Sequence, residues 1–265
     1  MATTSTPAPV LAVCGLAFEA AIAAGPDIAA VCGPGAARLD APLAALLDAG
    51  AGWAGILSFG CAGALDPDLA PGTCILATGV QTAHGFAGAD AAWLHALQRY
   101  LRDAVAGELA GLDAPLPTAA DKARMGRATG ACAVDMESHA AALAARRHGL
   151  PFAACRVVLD PAWRSVPACA LAGMRPDGTV APWPLLRALV AAPADAGALC
   201  ALARDALAAR RSLRSVRARL GTALASPYLV CPAGGGAVVP STAPPTAPPA
   251  VPPAAPPAVP PVPLP

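Results

Sequence analysis

Short apolar runs alternate with segments of helical periodicity along the first 160 residues. The apolar runs predict buried strands at 10–14, 28–32, 53–59, 73–78, 131–134 and 152–159. The 3.6-residue spacing of apolar positions predicts helices at 17–24, 36–49, within 89–109 and at 137–148. Strands that alternate with helices favour an α/β fold, here a single domain with a mostly parallel central sheet flanked by helices.

The pattern changes towards the carboxyl terminus, so we predict an α/β domain over 9–183 and a helical segment over 184–225. Leu202, Leu213, Val216 and Leu220 fall on one side of the last helix, and arginines spread over the other. Such a basic amphipathic helix either docks on the domain with a solvated face or touches anionic lipid. The membrane interpretation assigns peripheral contact to a set of four arginines: Arg210, Arg211, Arg214 and Arg217.

The two ends of the chain are predicted to contribute nothing to the core. Residues 232–265 consist largely of Pro, Ala and Val, a composition that favours extended polyproline II, and we predict a disordered tail. Residues 1–8 are predicted to be a flexible amino terminus that lacks the basic region and apolar core of a signal peptide.

The bulk composition excludes several classes. A net charge of +1 gives no reason to expect a nucleic-acid partner. Apolar residues make up 56% of the chain, but no window is long and apolar enough to predict a spanning helix. The nine cysteines form no C-x-x-C pair, and most lie in apolar runs, which favours reduced thiols in a cytoplasmic protein. Neither a metal site nor an organic cofactor is predicted.

Three acids stand where strands end or helices begin. Glu137 follows an apolar run and opens a helix, Asp160 ends the most apolar run, and Glu19 lies just past the first strand. Open α/β sheets bind small molecules at the carboxyl ends of their strands. Each acid also has an ordinary structural explanation as a first-turn acid or turn former.

A glycine-rich segment, 60–63, follows the third predicted strand and is expected to form a turn. Glycines such as Gly60 let the backbone approach a ligand closely, although a tight turn explains them equally well. The four histidines show no spacing that suggests a metal.

Together these motifs resemble the nucleoside phosphorylase/nucleosidase superfamily. The resemblance rests on four segments in order: Gly15-Leu-Ala-Phe-Glu19, Ser58-Phe-Gly-Cys-Ala-Gly63, Val134-Asp-Met-Glu137 and Arg156-Val-Val-Leu-Asp160. Asp135 and Leu159 stand where that family usually has Glu and Ser. The segments around 19, 137 and 160, with the later Gly-Met-Arg-Pro-Asp-Gly at 173–178, are similar to the hopanoid-associated phosphorylase-like branch.

This resemblance implies removal of adenine from adenosylhopane, a nucleoside with an apolar substituent. By the same resemblance, Asp160 is the general acid at adenine N7 and Glu19 positions or activates the attacking water. Glu137 and Met136 contact the ribose, and Gly60, Cys61 and Phe18 complete the substrate-binding residues. The resemblance also implies a homo-oligomer, and an enzyme in the cytoplasm or at the inner membrane surface.

Hydrolysis and phosphorolysis both remain open, with phosphate as the alternative co-substrate. Phosphorolytic members that resemble the bacterial hexameric enzymes carry Arg at the position of Ser58 and Ser at that of Cys61, and their absence favours hydrolysis. The alternatives are a soluble methylthioadenosine/adenosylhomocysteine nucleosidase, a purine nucleoside phosphorylase, and a non-catalytic scaffold that binds partners through the Pro-rich tail.

Overall fold

The structure, a computed structural model, describes residues 8–50, 52–175 and 177–228. Eight strands and eight helices follow one another along the chain. They are β1 (Val10–Cys14), α1 (Ala17–Ala23), β2 (Ile28–Cys32), α2 (Ala36–Asp48), β3 (Gly55–Ala64), β4 (Cys74–Thr82), β5 (Gly85–Gly88), α3 (Ala91–Tyr100), β6 (Val105–Gly111), α4 (Ala119–Thr129), β7 (Ala133–Asp135), α5 (Ser138–Arg147), β8 (Phe152–Asp160), α6 (Ala168–Ala172), α7 (Pro182–Ala191) and α8 (Ala196–Leu220).

All eight strands belong to one mixed sheet with β3 at its centre. β3 pairs in parallel with β1 and β8 and antiparallel with the short β7, whereas β4 joins β8, β6 and β5. Five of the eight pairings are parallel. The predicted single α/β domain is confirmed, although the sheet is more mixed than expected.

Each face of the sheet is covered by its own group of helices. Successive residues of β1 alternate between the two core clusters, as the two-residue period of a strand requires. Leucines of α2 and alanines of α5 cover one face. The other face is covered by α1, α3 and the buried side of α8. The sheet is therefore buried on both sides, which explains the continuous apolar runs.

The predicted glycine turn at 60–63 is wrong, because β3 continues through it to Ala64. β8 pairs with β3 along the whole segment, from Ile56↔Phe152 to Gly63↔Asp160, with a register shift at Ala62/Gly63. Glycines there keep side chains out of a crowded strand rather than turning the chain. The extension carries backbone groups of β3 into the region between β7 and β8.

Four elements were missed: the five-residue helix α6, and three elements whose sequences lack a strong apolar period. β5 is four residues long, and β6 reads VAGELAG, with two glycines and a glutamate. α4 reads AADKARMGRAT and is capped rather than amphipathic: Thr118 accepts the Asp121 N–H at its start and Gly130 is left-handed at its end.

The last long helix, α8, docks on the domain through Ala209, Leu213, Val216 and Leu220. Of the four arginines predicted to contact a membrane, Arg217 instead donates to the carbonyl oxygens of Ala23 and Gly221 at 2.9 and 2.6 Å. In the part of the chain that the structure describes, no single helix is long and apolar enough to cross a membrane; α7 and the segment Pro193–Leu220 pass that test only as a pair bent by 114°. The predicted tail, and all but residue 8 of the predicted amino terminus, lie outside the described residues.

Candidate active site

A fully buried arginine on β8 lies among the acids of two segments, 135–137 and the first loop. Arg156 Nε lies 2.6 Å from an Asp135 carboxylate oxygen, and Nη2 lies 3.5 Å from Glu137 Oε2. The guanidinium also donates to Ser58 Oγ at 2.5 Å and to the Cys61 carbonyl at 3.3 Å. Burial disfavours a charge here, but the surrounding carboxylates outweigh it and raise the pKa of Arg156.

Glu19 is 1% exposed, and backbone donors from two segments hold its carboxylate. Oε2 accepts the N–H groups of Gly15 and Leu16 at 3.0 and 2.9 Å, and Oε1 accepts that of Cys61 at 2.8 Å. Burial raises the pKa of Glu19, whereas Arg156 and the Leu16 and Cys61 donors oppose the rise. A carboxyl group with a raised pKa takes up a proton more readily than an ordinary one, which suits proton transfer.

Gly60 lies between Glu19 and the Arg156 guanidinium. Because Gly60 has no side chain, both groups can lie close to its backbone. A Cβ at this position would lie 2.5 Å from Glu19 Oε2 and 2.8 Å from Arg156 Nη1. A side chain at position 60 would therefore collide with both groups, and the predicted approach of the Gly60 backbone to a ligand stays a prediction. Cys61 contributes its backbone N–H and carbonyl here, and burial raises the pKa of its thiol.

Glu137 lies at the start of α5. Its carboxyl group is beside Gly15, which follows β1, and Gly35, which precedes α2. Its Oε1 accepts the Gly35 N–H at 3.0 Å, and the Met136 side chain lies beside the same glycine, about 3.3 Å from where a Cβ would be. Burial raises the pKa of Glu137 to about 7; Arg156 opposes this rise and Asp135 adds to it. Glu137 is therefore placed beside both Arg156 and a backbone donor.

Asp160 ends β8 and forms an ion pair with a lysine that sequence analysis did not identify. Lys122 on α4 is 1% exposed and donates to the Asp160 carboxylate and to the carbonyl oxygens of Pro161 and Arg164 at 3.1 and 2.9 Å. Burial raises the pKa of Asp160, and Lys122 opposes that rise. Three acceptors around Nζ fit a charged ammonium group, which has three donors.

The strand register brings the acids together on either side of β3. Gly63 pairs with Val134 on β7 and with Asp160 on β8, so the ends of both flanking strands meet at one β3 residue. A Cβ at Gly63 would lie 3.2 Å from Asp160 Oδ2. The expected pair of neighbouring strand ends is thus present, but β7 and β8 are linked through β3 rather than to each other.

Phe18 lies on the α8 side of the sheet, and its predicted contact with substrate stays a prediction. Its ring packs with the core on the α8 side of the sheet and lies 5.5 Å from the Arg210 guanidinium. Trp163 is 61% exposed and lines a cavity of about 800 Å³ with Leu65, Ala123 and Ala162. Phe18 does not line this cavity.

The arrangement separates two chemical functions. Three carboxyl groups, those of Asp135, Glu137 and Glu19, surround the Arg156 guanidinium. A fourth, that of Asp160, pairs with the Lys122 ammonium group. Carboxyl groups with raised pKa values donate and accept protons near neutral pH, and carboxylates stabilise developing positive charge. Among the described residues, no group of three or more His, Cys, Asp or Glu side chains has a geometry suited to a metal ion.

Comparison with known families gives a match over most of the sheet and the whole candidate site. The sequence model of the Phosphorylase superfamily matches residues 12–169. No curated protein sequence matches the chain at a significant level.

Solved structures with the same fold include several bacterial nucleosidases. The S-adenosylhomocysteine nucleosidase of Streptococcus pyogenes is 17% identical, with a TM-score of 0.54, and the match covers 61% of this chain and 87% of that one. The futalosine hydrolase of Helicobacter pylori is 14% identical, with a TM-score of 0.57 and coverage of 79% and 97%. The methylthioadenosine/adenosylhomocysteine nucleosidase of Colwellia psychrerythraea, bound to adenine, is 16% identical, with a TM-score of 0.56 and coverage of 81% and 96%.

Proposed function

Because the chain belongs to the Phosphorylase superfamily, we propose that it cleaves the N-glycosidic bond of an adenine nucleoside, with water as the acceptor. We propose adenosylhopane as the substrate, which gives adenine and ribosylhopane. The observation that carries the hydrolytic reaction is the buried Glu19 carboxylate beside Arg156, across Gly60. The similarity to the hopanoid-associated branch supports the substrate.

In the proposed mechanism, Asp160 gives its proton to adenine N7 as the bond between N9 and C1′ breaks. Protonation lets adenine leave as a neutral molecule rather than as an anion. Burial favours the protonated form of Asp160. Once the proton has left, the ammonium group of Lys122 stabilises the carboxylate that remains. General acid catalysis of this kind is typically worth about 10²–10⁴ in rate.

Glu137 and Met136 hold the sugar. A carboxylate accepts two hydrogen bonds from the vicinal hydroxyls of ribose, and Glu137 faces the same side of the sheet end as the first loop and Gly35. The Met136 side chain provides an apolar contact for the sugar ring. The breaking bond leaves positive charge on the ribose, which the neighbouring carboxylates stabilise.

Glu19 accepts a proton from water as the water oxygen bonds to C1′. The proton lost by Asp160 and the proton gained by Glu19 balance, so the net reaction consumes one water. Phosphate would need positive charge or several free donors. Arg156 offers little of either, because Asp135, Glu137, Ser58 and the Cys61 carbonyl already surround its guanidinium.

An apolar cavity supports a bulky substituent on the nucleoside. The cavity of about 800 Å³ is lined largely by apolar groups. Two of its lining residues, Ala162 and Trp163, follow Asp160 by two and three positions in the chain. A substrate anchored in a bilayer also requires the enzyme to work at a membrane surface. We propose that the exposed arginines 210, 211 and 214 contribute to that contact, as the sequence predicts.

The test is adenine release from adenosylhopane by the purified full-length chain, with and without phosphate, with analysis of the sugar product. We expect phosphate-independent release of free ribosylhopane. Asp160→Asn should lower kcat by at least about 100-fold, and Glu19→Gln should also lose turnover. Asp48→Asn, at an exposed acid on α2, is the matched control. A sugar 1-phosphate product would refute hydrolysis, and cleavage of methylthioadenosine but not adenosylhopane would refute the substrate.

A further inference from the structure

Helix α7 exposes a row of large apolar side chains. Trp183 is 76% exposed, Leu186 is 48% exposed and Val190 is 81% exposed. No residue of this helix is buried. Large side chains of this kind normally lie inside a protein, and a contiguous exposed set marks an interaction site.

The three side chains share one face of the helix. Their spacing, i, i+3 and i+7, places them within an arc of about 60° at 100° per residue. Leu185, on the opposite face, packs against Gly173 of the preceding turn; a Cβ on that glycine would lie 3.1 Å from the Leu185 Cβ. The helix is therefore held by one face and presents the other, which we call the α7 stripe (Trp183, Leu186 and Val190).

Positive charge accompanies the stripe. Arg187 follows Trp183 by four residues, at the edge of the same arc, and is exposed. The whole sequence after Pro161 contains nine arginines and three aspartates, whereas the sequence before it carries an excess of acids. An apolar face bordered by arginine is complementary to a lipid bilayer with anionic headgroups.

The α7 stripe is tied to the candidate active site by the turn that precedes it. Met174 and Val180 form an antiparallel bridge, and Gly178 within this turn accepts the Ala17 N–H at 3.0 Å. Ala17 follows Leu16, whose N–H holds Glu19. The turn that leads into α7 is thus hydrogen-bonded directly to the first loop of the candidate active site.

We propose that the α7 stripe inserts into the interfacial region of an anionic lipid bilayer and orients the catalytic domain on it. A second copy of the chain would be a poorer occupant, because a two-fold contact pairs two faces that are both bordered by arginine and offers neither of them an anionic partner. Residues 229–265 contain no charged side chain, so they offer no partner for the arginines. The inference stands on this surface alone and does not depend on the reaction.

Vesicle flotation of the full-length chain tests the proposal. We expect the protein to float with vesicles of phosphatidylcholine and phosphatidylglycerol, to float poorly with phosphatidylcholine alone, and to be released by high salt. The double substitution Trp183→Ser with Val190→Ser should weaken binding by at least about tenfold. Phe86→Ser removes an aromatic side chain that is 55% exposed on β5 and is the matched control.

Two further measurements separate the remaining outcomes. Brominated lipids should quench the fluorescence of Trp183, so that Trp183→Phe loses most of the quenching. Adenine release from detergent-dispersed substrate should be the same in the double variant as in the wild type, which distinguishes loss of docking from loss of catalysis. Absence of flotation, equal flotation of the double variant, or a wild-type dimer that the double variant abolishes would overturn the proposal.

Discussion

The buried Glu137 carboxyl group should make the protein less stable as pH rises through neutrality, and Glu137→Gln should remove that effect. Burial raises the pKa of Glu137 from 4.5 to about 7 in the folded chain. The unfolded chain exposes the same group to water and restores its ordinary pKa. The folded protein therefore binds a proton that the unfolded protein has lost, over the range between about pH 4.5 and 7.

The size of the effect follows from the shift in pKa. A rise of about 2.5 pH units, at about 1.4 kcal/mol per unit, corresponds to about 3 kcal/mol of unfolding free energy. This contribution is fully present below the unfolded pKa and is lost as pH rises through the folded pKa. Glutamine at position 137 cannot ionise. The part of the pH-dependent loss of unfolding free energy that belongs to Glu137 should therefore disappear in Glu137→Gln, even if the substitution also changes the unfolding free energy at every pH.

Urea unfolding of both proteins at several pH values between 5 and 8 measures the difference. The quantity compared is the slope of the unfolding free energy against pH. We expect the wild type to lose about 2.5 kcal/mol more than Glu137→Gln over this range, because the rest of the effect falls below pH 5. Met136→Leu, a neighbouring change without a titratable group, should keep the wild-type slope. Equal slopes in wild type and Glu137→Gln would show that the carboxyl group is not held protonated by burial.

Two further predictions concern the other parts of the site. Lys122→Met should shift the basic limb of the pH–rate profile to higher pH by about one unit or more, because loss of the ammonium group raises the pKa of Asp160. Lys122→Arg keeps the positive charge and should retain the wild-type profile. An unshifted limb in Lys122→Met would contradict the ion pair. Gly60→Ala should lower the unfolding free energy by about 1–3 kcal/mol in urea titrations and reduce turnover, because the methyl group would lie 2.5 Å from Glu19; wild-type stability and rate would argue against the close approach.

Sequence periodicity predicted the elements whose burial is uniform. β1 is apolar and buried throughout, and β8 is buried over its first seven residues, because helices cover both faces of the sheet; α2 shows its leucines at helical spacing because only one face is buried. β6 and α4 escaped prediction because their positions depend on tertiary neighbours. β6 is paired on both sides, by β4 and β7, and its glycines make room for Cys132 and His139.

The glycine segment of β3 shows a different limit. Four small residues after an apolar run are typical of a turn, and nothing local distinguishes a turn from a strand that must pass close to other groups. Here the decisive partners are β8, which pairs along the whole segment, and Glu19, which occupies the space a side chain would take. Local patterns carry no information about such a partner 41 residues away.

The structure places the three candidate acids beside buried cations that the sequence did not indicate as their partners, and the roles of the acids stay predictions. Arg156 stands in the sequence only as part of a motif, and nothing local marks Lys122. Both are nearly inaccessible to solvent, and each lies in a different segment from the acids it pairs with. Ion pairs across the fold leave no periodic trace in a sequence, so the local pattern can identify a carboxylate without indicating its pKa.

The distribution of charge in the site argues for water over phosphate on grounds that the sequence alone did not provide. One guanidinium is shared among Asp135, Glu137 and Glu19, and one ammonium is taken by Asp160. Arg156 and Lys122 are thereby each matched by at least one carboxyl group, so neither of these two cations is free to pair with an entering phosphate dianion. The same surplus of carboxyl groups favours a sugar that becomes positively charged as adenine leaves. We therefore expect a site with this balance to lower the barrier for departure of the base and to admit a neutral water as the nucleophile at least cost.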